Sequence, residues 1–327
     1  MSGSGRNRLA KLAYGIENLI DRFRPARSRD NLTIDPFIGY GTPEGVVVHG
    51  RVLSRRQAEA VSKEPGLLRN MRAMASHFVT REVGDVEVEV AGIKTRSGEE
   101  GYFKVCVPVP HKQTAYLTVT LPAHGYECQA PIVIPDPDAQ FGIISDIDDT
   151  IMQTGAFNLA CNLWTTLTGS VESRKIFPDT VALIRTRQAS KNPVFFVSSS
   201  PWNLHSFLSA VFQRNDVPFG PKFLRDLGIS KTQFIKSSHG SHKGDAIDTI
   251  ISANPGLRFV LIGDTGQHDG QVYLEAIERH KTVIAEVCLR HAGPMDDLDA
   301  DIADKIRSTG VALYTGPNFA PLIETTQ

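Results

Sequence analysis

The chain is poor in cysteine, in net charge and in long apolar runs, and each shortage removes a class of protein. Four cysteines occur in 327 residues, Cys106, Cys128, Cys161 and Cys288. They lie far apart and match no metal-ligand spacing, which argues against a disulfide scaffold or a zinc module and for the reduced or buried thiols of a cytoplasmic protein. The formal net charge is -1, so no global excess of positive charge marks a nucleic-acid binder. No apolar run is long enough to span a bilayer. The first residues lack the apolar core of a signal peptide, and Ser2 stands where myristoylation needs glycine. What remains is an ordinary globular composition, 41% hydrophobic and 22% charged, with room for about two domains.

The stretch 141–150, FGIISDIDDT, organises the rest. A short apolar, β-branched run leads into three aspartates and a threonine, which reads as a buried strand ending in a polar loop. Alternation along a strand predicts that Asp146 and Asp148 emerge side by side at its C-terminal end. In an open α/β sheet, ligands bind at that end. Two carboxylates held together repel unless they share a proton or a cation, and a hard cation such as Mg2+ takes oxygen ligands. A strand followed by an ordinary acidic turn would read the same way from this stretch alone, so the later chain has to decide.

Upstream, residues 6–24 carry Leu9, Leu12, Ile16 and Leu19 on one helical face, with Arg6, Arg8, Lys11, Arg22 and Arg24 around them. Such a basic helix can lie on an anionic membrane; a terminal helix packed on its own protein, or a frayed arm, is the simpler expectation. From Gly45 the signals become β. Val46–Val48 with Val52 and Leu53 read as a first strand. Leu67, Leu68, Met71, Met74 and Phe78 then form one helical stripe. Val86, Val88 and Val90 alternate with Glu87 and Glu89, and apolar runs at 102–107, 116–121 and 132–134 follow. This predicts a small antiparallel β-sandwich, with 135–138 as a linker.

Downstream, strands and helices alternate, which predicts a parallel sheet with helices on both faces. The strand 194–197 ends in Ser198, Ser199 and Ser200. Ser200 before Pro201 reads as a helix N-cap, leaving Ser198 to donate to a phosphate oxygen or to neighbouring backbone. A short third strand is expected at 234–235. Lys243 opens a helix at the end where the macrodipole disfavours a cation, a local rule broken. The strand 259–262 delivers Asp264, followed by Asp269, which could act or merely cap a helix. An aspartate pair, a serine, a lysine and a further aspartate at one sheet edge suit phosphoryl transfer, which is mostly positioning and charge neutralisation.

The order of these motifs, Asp146-Ile147-Asp148-Asp149-Thr150, Ser198, Lys243 and Gly263-Asp264 with Asp269, resembles the haloacid dehalogenase-like phosphohydrolases. More closely, ISDIDDTIMQTGA, NPVFFVSSSPWNL, HKGDAI and FVLIGDTGQHDGQVY are similar to the family of the fungal actin-patch phosphatidate phosphatase and its bacterial relatives. The resemblance implies a Rossmann-like parallel sheet over 138–327, behind a β-sandwich at 41–137 and a basic arm at 1–40. It implies an Mg2+-dependent phosphatase that converts phosphatidate to diacylglycerol. Under it Asp146 is the nucleophile, Asp148 the acid and base, and Lys243 the third catalytic residue. Thr150, Ser198 and Ser199 meet the substrate phosphate, and Asp146, Asp148 (through its carbonyl), Asp264 and Asp269 hold or organise the metal. The expected partner is a lipid phosphate met transiently at a membrane surface, with the basic arm and the apolar 159–167 stretch around Trp164 as contact points. Spacing between the motifs leaves room for no large lid, only a modest cap within 152–177.

Overall fold

The structure is a computed structural model that describes residues 31–54, 83–108, 115–154, 175–189, 191–225, 239–266, 268–291 and 296–324. Residues 1–30 of the basic arm, the 67–78 stripe, the 159–167 stretch and the strand expected at 234–235 lie outside these residues, whereas residues 31–40, counted with the arm from the sequence, are described.

Among the described residues, eight strands come first: β1 (Leu32–Pro36), β2 (Gly39–Thr42), β3 (Gly45–Ser54), β4 (Glu87–Val90), β5 (Ile93–Arg96), β6 (Tyr102–Val107), β7 (Tyr116–Leu121) and β8 (Tyr126–Val133). The valine–glutamate alternation behaves as strand geometry requires: Val86, Val88 and Val90 are buried, and Glu87 and Glu89 lie outside that core. The strands run in the order β1-β3-β2-β8-β7-β4-β5, with β6 paired to β3. All pairs are antiparallel except β2 with β8. The sheet closes over one apolar core that includes Leu32, Val46, Val88, Phe103, Val119 and Leu121. Two of its strands, β1 and β2, precede Gly45 and were not visible as strands in the sequence. They are short and carry Gly and Pro, so period-two alternation has too few positions to register.

The second unit has, among the described residues, six strands: β9 (Phe141–Asp146), β10 (Val194–Pro201), β11 (Lys222–Arg225), β12 (Arg258–Asp264), β13 (Ile284–Arg290) and β14 (Ala312–Gly316). Their order is β11-β10-β9-β12-β13-β14, and every pair is parallel. In chain order this is 3-2-1-4-5-6, the doubly wound order of Rossmann-like sheets. Helices α1 (Pro178–Gln188), α2 (His205–Arg214), α3 (His239–Ala253), α4 (Asp269–Arg279), α5 (Asp297–Ser308) and α6 (Ala320–Glu324) surround it. Two apolar clusters flank the sheet, one with Ile144, Phe195, Leu261 and Ile247, the other with Ile143, Phe196, Ile262 and Leu183. Successive strand residues pack into opposite clusters, which is why these central strands read as continuous apolar runs.

The expected α/β fold behind a β-domain is therefore what forms. The sequence order reverses between β9 and β12, the two central strands, and Asp146 and Asp264 are their last residues. Among the described residues, no helix is long and apolar enough to cross a membrane.

Candidate active site

The centre of the site is an ammonium held between carboxylates. Lys243, on α3, places Nζ 2.6 Å from Asp146 Oδ1 and 2.5 Å from Asp269 Oδ1. All three side chains are buried. Burial by itself would lower the Lys243 pKa, but Asp146 and Asp269 outweigh it and hold the ammonium above its ordinary value. The structure begins α3 at His239, so Lys243 stands past its opening turn and not at the helix start the sequence suggested, and two carboxylates from other elements hold its charge.

Asp269 lies in the first turn of α4, so its backbone does open a helix, yet its side chain faces the site. Its Oδ2 accepts from the Asp264 amide at 3.3 Å. Gly263 makes this approach possible. A Cβ there would stand 2.6 Å from both Asp269 Oδ2 and the Tyr273 hydroxyl, closer than atoms pack. The Tyr273 hydroxyl donates to the Ile262 carbonyl at 2.8 Å and walls the back of the site.

Asp148 departs from the alternation expected of it. Strand β9 ends at Asp146, and Asp148 sits in the loop, bridged to Met152. It nevertheless lies close enough to Asp146 to influence its charge. Its Oδ2 accepts from Ser198 Oγ at 2.5 Å and from Ser200 Oγ at 3.1 Å. Ser200 is therefore no N-cap: β10 runs through Pro201, and a short 3₁₀ turn, Trp202–Leu204, precedes α2 without a side-chain cap. The signal was in the sequence, because Ser198 and Ser200 are two apart and share a side of a strand. Ser199 is partly exposed beside them. His242, also passed over, rests a ring nitrogen on the Ser198 carbonyl; burial first, then Arg225, lowers its pKa.

Thr150 is fully buried, and its hydroxyl has no hydrogen-bond partner among the described residues. Its carbonyl accepts from Thr180 Oγ1 at 2.7 Å, which ties the loop to α1. Asp149 takes a left-handed conformation, φ 57°, and its Oδ1 accepts from the Thr154 amide at 2.7 Å, a turn-forming use of aspartate. Met152 pairs with Ile176.

Asp146, Asp264 and Asp269 can each point one oxygen so that all three lie within 4.8 Å of one another. Three carboxylates against one ammonium leave two negative charges, the charge of one divalent cation. Asp146 Oδ2 and Asp264 Oδ1 are buried and have no hydrogen-bond partner among the described residues. Orphaned buried oxygens in an all-oxygen set fit a hard divalent cation. Without one, burial pushes Asp146 well above the carboxylate range, Asp269 pushes the same way, and Lys243 opposes. Burial, then Asp269, takes Asp264 up to about 8. Asp148 is raised by burial, against the lowering effect of its serine partners and Lys243. The side chain of Asp148 is not part of the three-carboxylate group.

Comparison with known proteins covers most of the parallel-sheet unit. Residues 141–291 match the family described as "Phosphatidate phosphatase APP1, catalytic domain". Phosphatidate phosphatase APP1 of Saccharomyces cerevisiae is 28% identical over 150 residues, which is 46% of this chain and 25% of that protein. An uncharacterized protein of Schizosaccharomyces pombe is 28% identical over 202 residues, 57% of this chain and 32% of its own. The chain thus spans about a quarter to a third of the length of these relatives. A chain in the solved "Structure of Pnkp1/Rnl/Hen1 complex" covers 52% of this chain and 55% of its own at 10% identity, with a TM-score of 0.36, a likeness on which nothing here rests. The match spans β9 to the residue after β13, takes in Asp146, Asp148, Ser198, Lys243, Asp264 and Asp269, and makes this stretch of the chain similar to the APP1 phosphatidate phosphatase catalytic domain.

Proposed function

We propose that this protein is an Mg2+-dependent phosphatase that works through an aspartyl-phosphate and acts on phosphatidate or a related lipid phosphate, giving diacylglycerol and phosphate. The observation that carries the reading is Lys243 bridging Asp146 and Asp269 beside the serine-bound Asp148, at the edge where ligands meet such a sheet. Asp146 is the nucleophile: its carboxylate forms the bond to phosphorus as the bond to the leaving alkoxide breaks. Asp148, whose carboxyl burial raises above its ordinary value, gives a proton to that oxygen. It then takes a proton from the water that hydrolyses the acyl phosphate, releasing phosphate and restoring Asp146. Ser198, with Ser199 and Thr150, donates to the phosphoryl oxygens, and Lys243 offsets their charge. Asp146, Asp264 and the Asp148 carbonyl would hold Mg2+, which supplies positive charge for the phosphoryl oxygens and keeps Asp146 ionised. Asp269 positions Lys243.

The substrate reading rests on the family and on the name of the yeast relative. A phosphatase of another phosphomonoester is the nearest alternative, and a weakly active phosphate-sensing scaffold the next. We place the protein in the cytoplasm, in transient contact with membranes. A screen of purified protein with Mg2+ against phosphatidate vesicles, lysophosphatidate and soluble phosphate esters tests the whole. Turnover of phosphatidate that Asp146→Asn abolishes supports the reading. Turnover of soluble esters without vesicle binding overturns the lipid assignment alone, and no turnover of any ester overturns the phosphatase.

A further inference from the structure

The three serines lie in the part of β10 where its pairing with β11 shifts register. The ladder between β10 and β11 is regular to Val197 and resumes shifted at Pro201, so Ser198–Ser200 occupy the irregular stretch, and an irregular stretch re-aims side chains only if its ends are fixed. Upstream, Val197 is fixed in the core. Downstream, the anchor is the β-domain.

Trp202, two residues past Ser200, stacks on Phe37 at 4.9 Å with an interplanar angle of 4°. Its ring also meets His49, edge-on at 5.2 Å, and His205 at 6.1 Å. Phe37 follows β1 and also lies 3.9 Å from the His205 ring. One residue further, Ser206 Oγ donates to Asp35 Oδ2 at 2.7 Å. Tyr40 of β2 packs on Phe223 of β11 at 5.1 Å and joins the same apolar cluster as Ile144 and Phe195. Phe37 and Tyr40 are both about 3% exposed.

We infer that the β-domain is a positioning part of the catalytic centre: Phe37, stacked on Trp202, fixes the Ser198–Ser200 turn that holds Asp148. This rests on the phosphatase reading for its consequence in turnover, but not for the coupling itself. Only Pro201, whose φ is set by its ring, separates Trp202 from Ser200. A shift of the Trp202 backbone therefore reaches the two hydroxyls on Asp148. Misplacement by about 1 Å at a reacting group can cost on the order of a hundredfold in rate.

The test uses the full chain, with p-nitrophenyl phosphate as probe for turnover and hydrogen exchange of the Ser198, Ser199, Ser200 and Trp202 amides as a probe that needs no activity. Phe37→Ala removes the stack without altering the parallel-sheet unit. Val119→Ala, in the β-domain core, controls for general loss of stability, and Phe37→Tyr keeps the ring. The expected result is kcat lowered about tenfold to a hundredfold in Phe37→Ala with KM changed by less than about threefold. Exchange at these amides rises in that variant alone, and Phe37→Tyr restores both. Wild-type kcat and exchange in Phe37→Ala overturn the inference, as does an equal loss in Val119→Ala. If the wild type hydrolyses no ester, the phosphatase reading falls and exchange alone decides the coupling. If Phe37→Ala does not fold, Phe37→Leu takes its place under the same criteria.

Discussion

Replacing Lys243 with methionine tests the electrostatics of the site most directly. Methionine keeps the length and removes the charge, leaving Asp146, Asp264 and Asp269 buried with no cation between them. At the 2.6 Å of the Lys243–Asp146 contact, an effective dielectric of about 20 gives an attraction of about 6 kcal/mol before desolvation. Desolvation of the ammonium offsets much of this, and removing one partner from a buried pair costs about 3–5 kcal/mol in practice. The expected loss of stability is therefore about 3–5 kcal/mol at pH 8 without divalent cation. It shrinks at pH 5, below the folded pKa of about 8 at Asp264, where the carboxylates carry protons, and when Mg2+ is added. Urea unfolding at both pH values, with and without Mg2+, reads this, with exchange of β9 and β12 amides assigning the loss to the parallel sheet. Turnover should fall by at least about a hundredfold, as when one transition-state donor is removed. Wild-type stability in Lys243→Met at pH 8 without cation would refute the argument, because the carboxylates would then need no neutralisation.

Asp148→Asn should lower kcat strongly for substrates with poor leaving groups, and less for p-nitrophenyl phosphate, whose leaving group needs no proton; equal losses on both would remove Asp148 from the acid role. The cation-free protein should lose stability as pH rises. Asp264 has a folded pKa of about 8 against an ordinary carboxylate value of 3.8, so between those values the native state binds more protons than the unfolded chain, and stability falls with pH across that window. Added Mg2+ should therefore stabilise more at pH 8 than at pH 5, and equal shifts in melting temperature at the two would contradict the Asp264 assignment. Gly263→Ala should destabilise by about 1–3 kcal/mol through overpacking and weaken Mg2+ binding in calorimetry, since its Cβ would press on Asp269; wild-type affinity would show that the two backbones can separate without consequence.

Periodicity alone revealed the layers of this protein. Phe141–Asp146, Val194–Val197 and Phe259–Ile262 are apolar because each is buried on two faces, and a two-faced strand is legible without neighbours. The short strands Leu32–Pro36, Gly39–Thr42 and Lys222–Arg225 were not legible, since four or five residues with Gly, Pro or Lys carry no pattern and gain their strand geometry from the partner they pair with. The same division holds at the site. Residue types and order brought Asp146, Asp148, Ser198, Lys243, Asp264 and Asp269 into one hypothesis, because each sits at the end of an apolar run or the start of a helix. Which of them touch was decided by the fold. The end of β9 at Asp146 moved Asp148 into a loop, the irregular ladder turned Ser200 from a cap into a partner of Asp148, and the packing of Phe37 on Trp202 tied a separate domain to the serine turn. Sequence patterns report what each residue needs from solvent, whereas contacts between elements far apart in the chain depend on register and packing that no local pattern records.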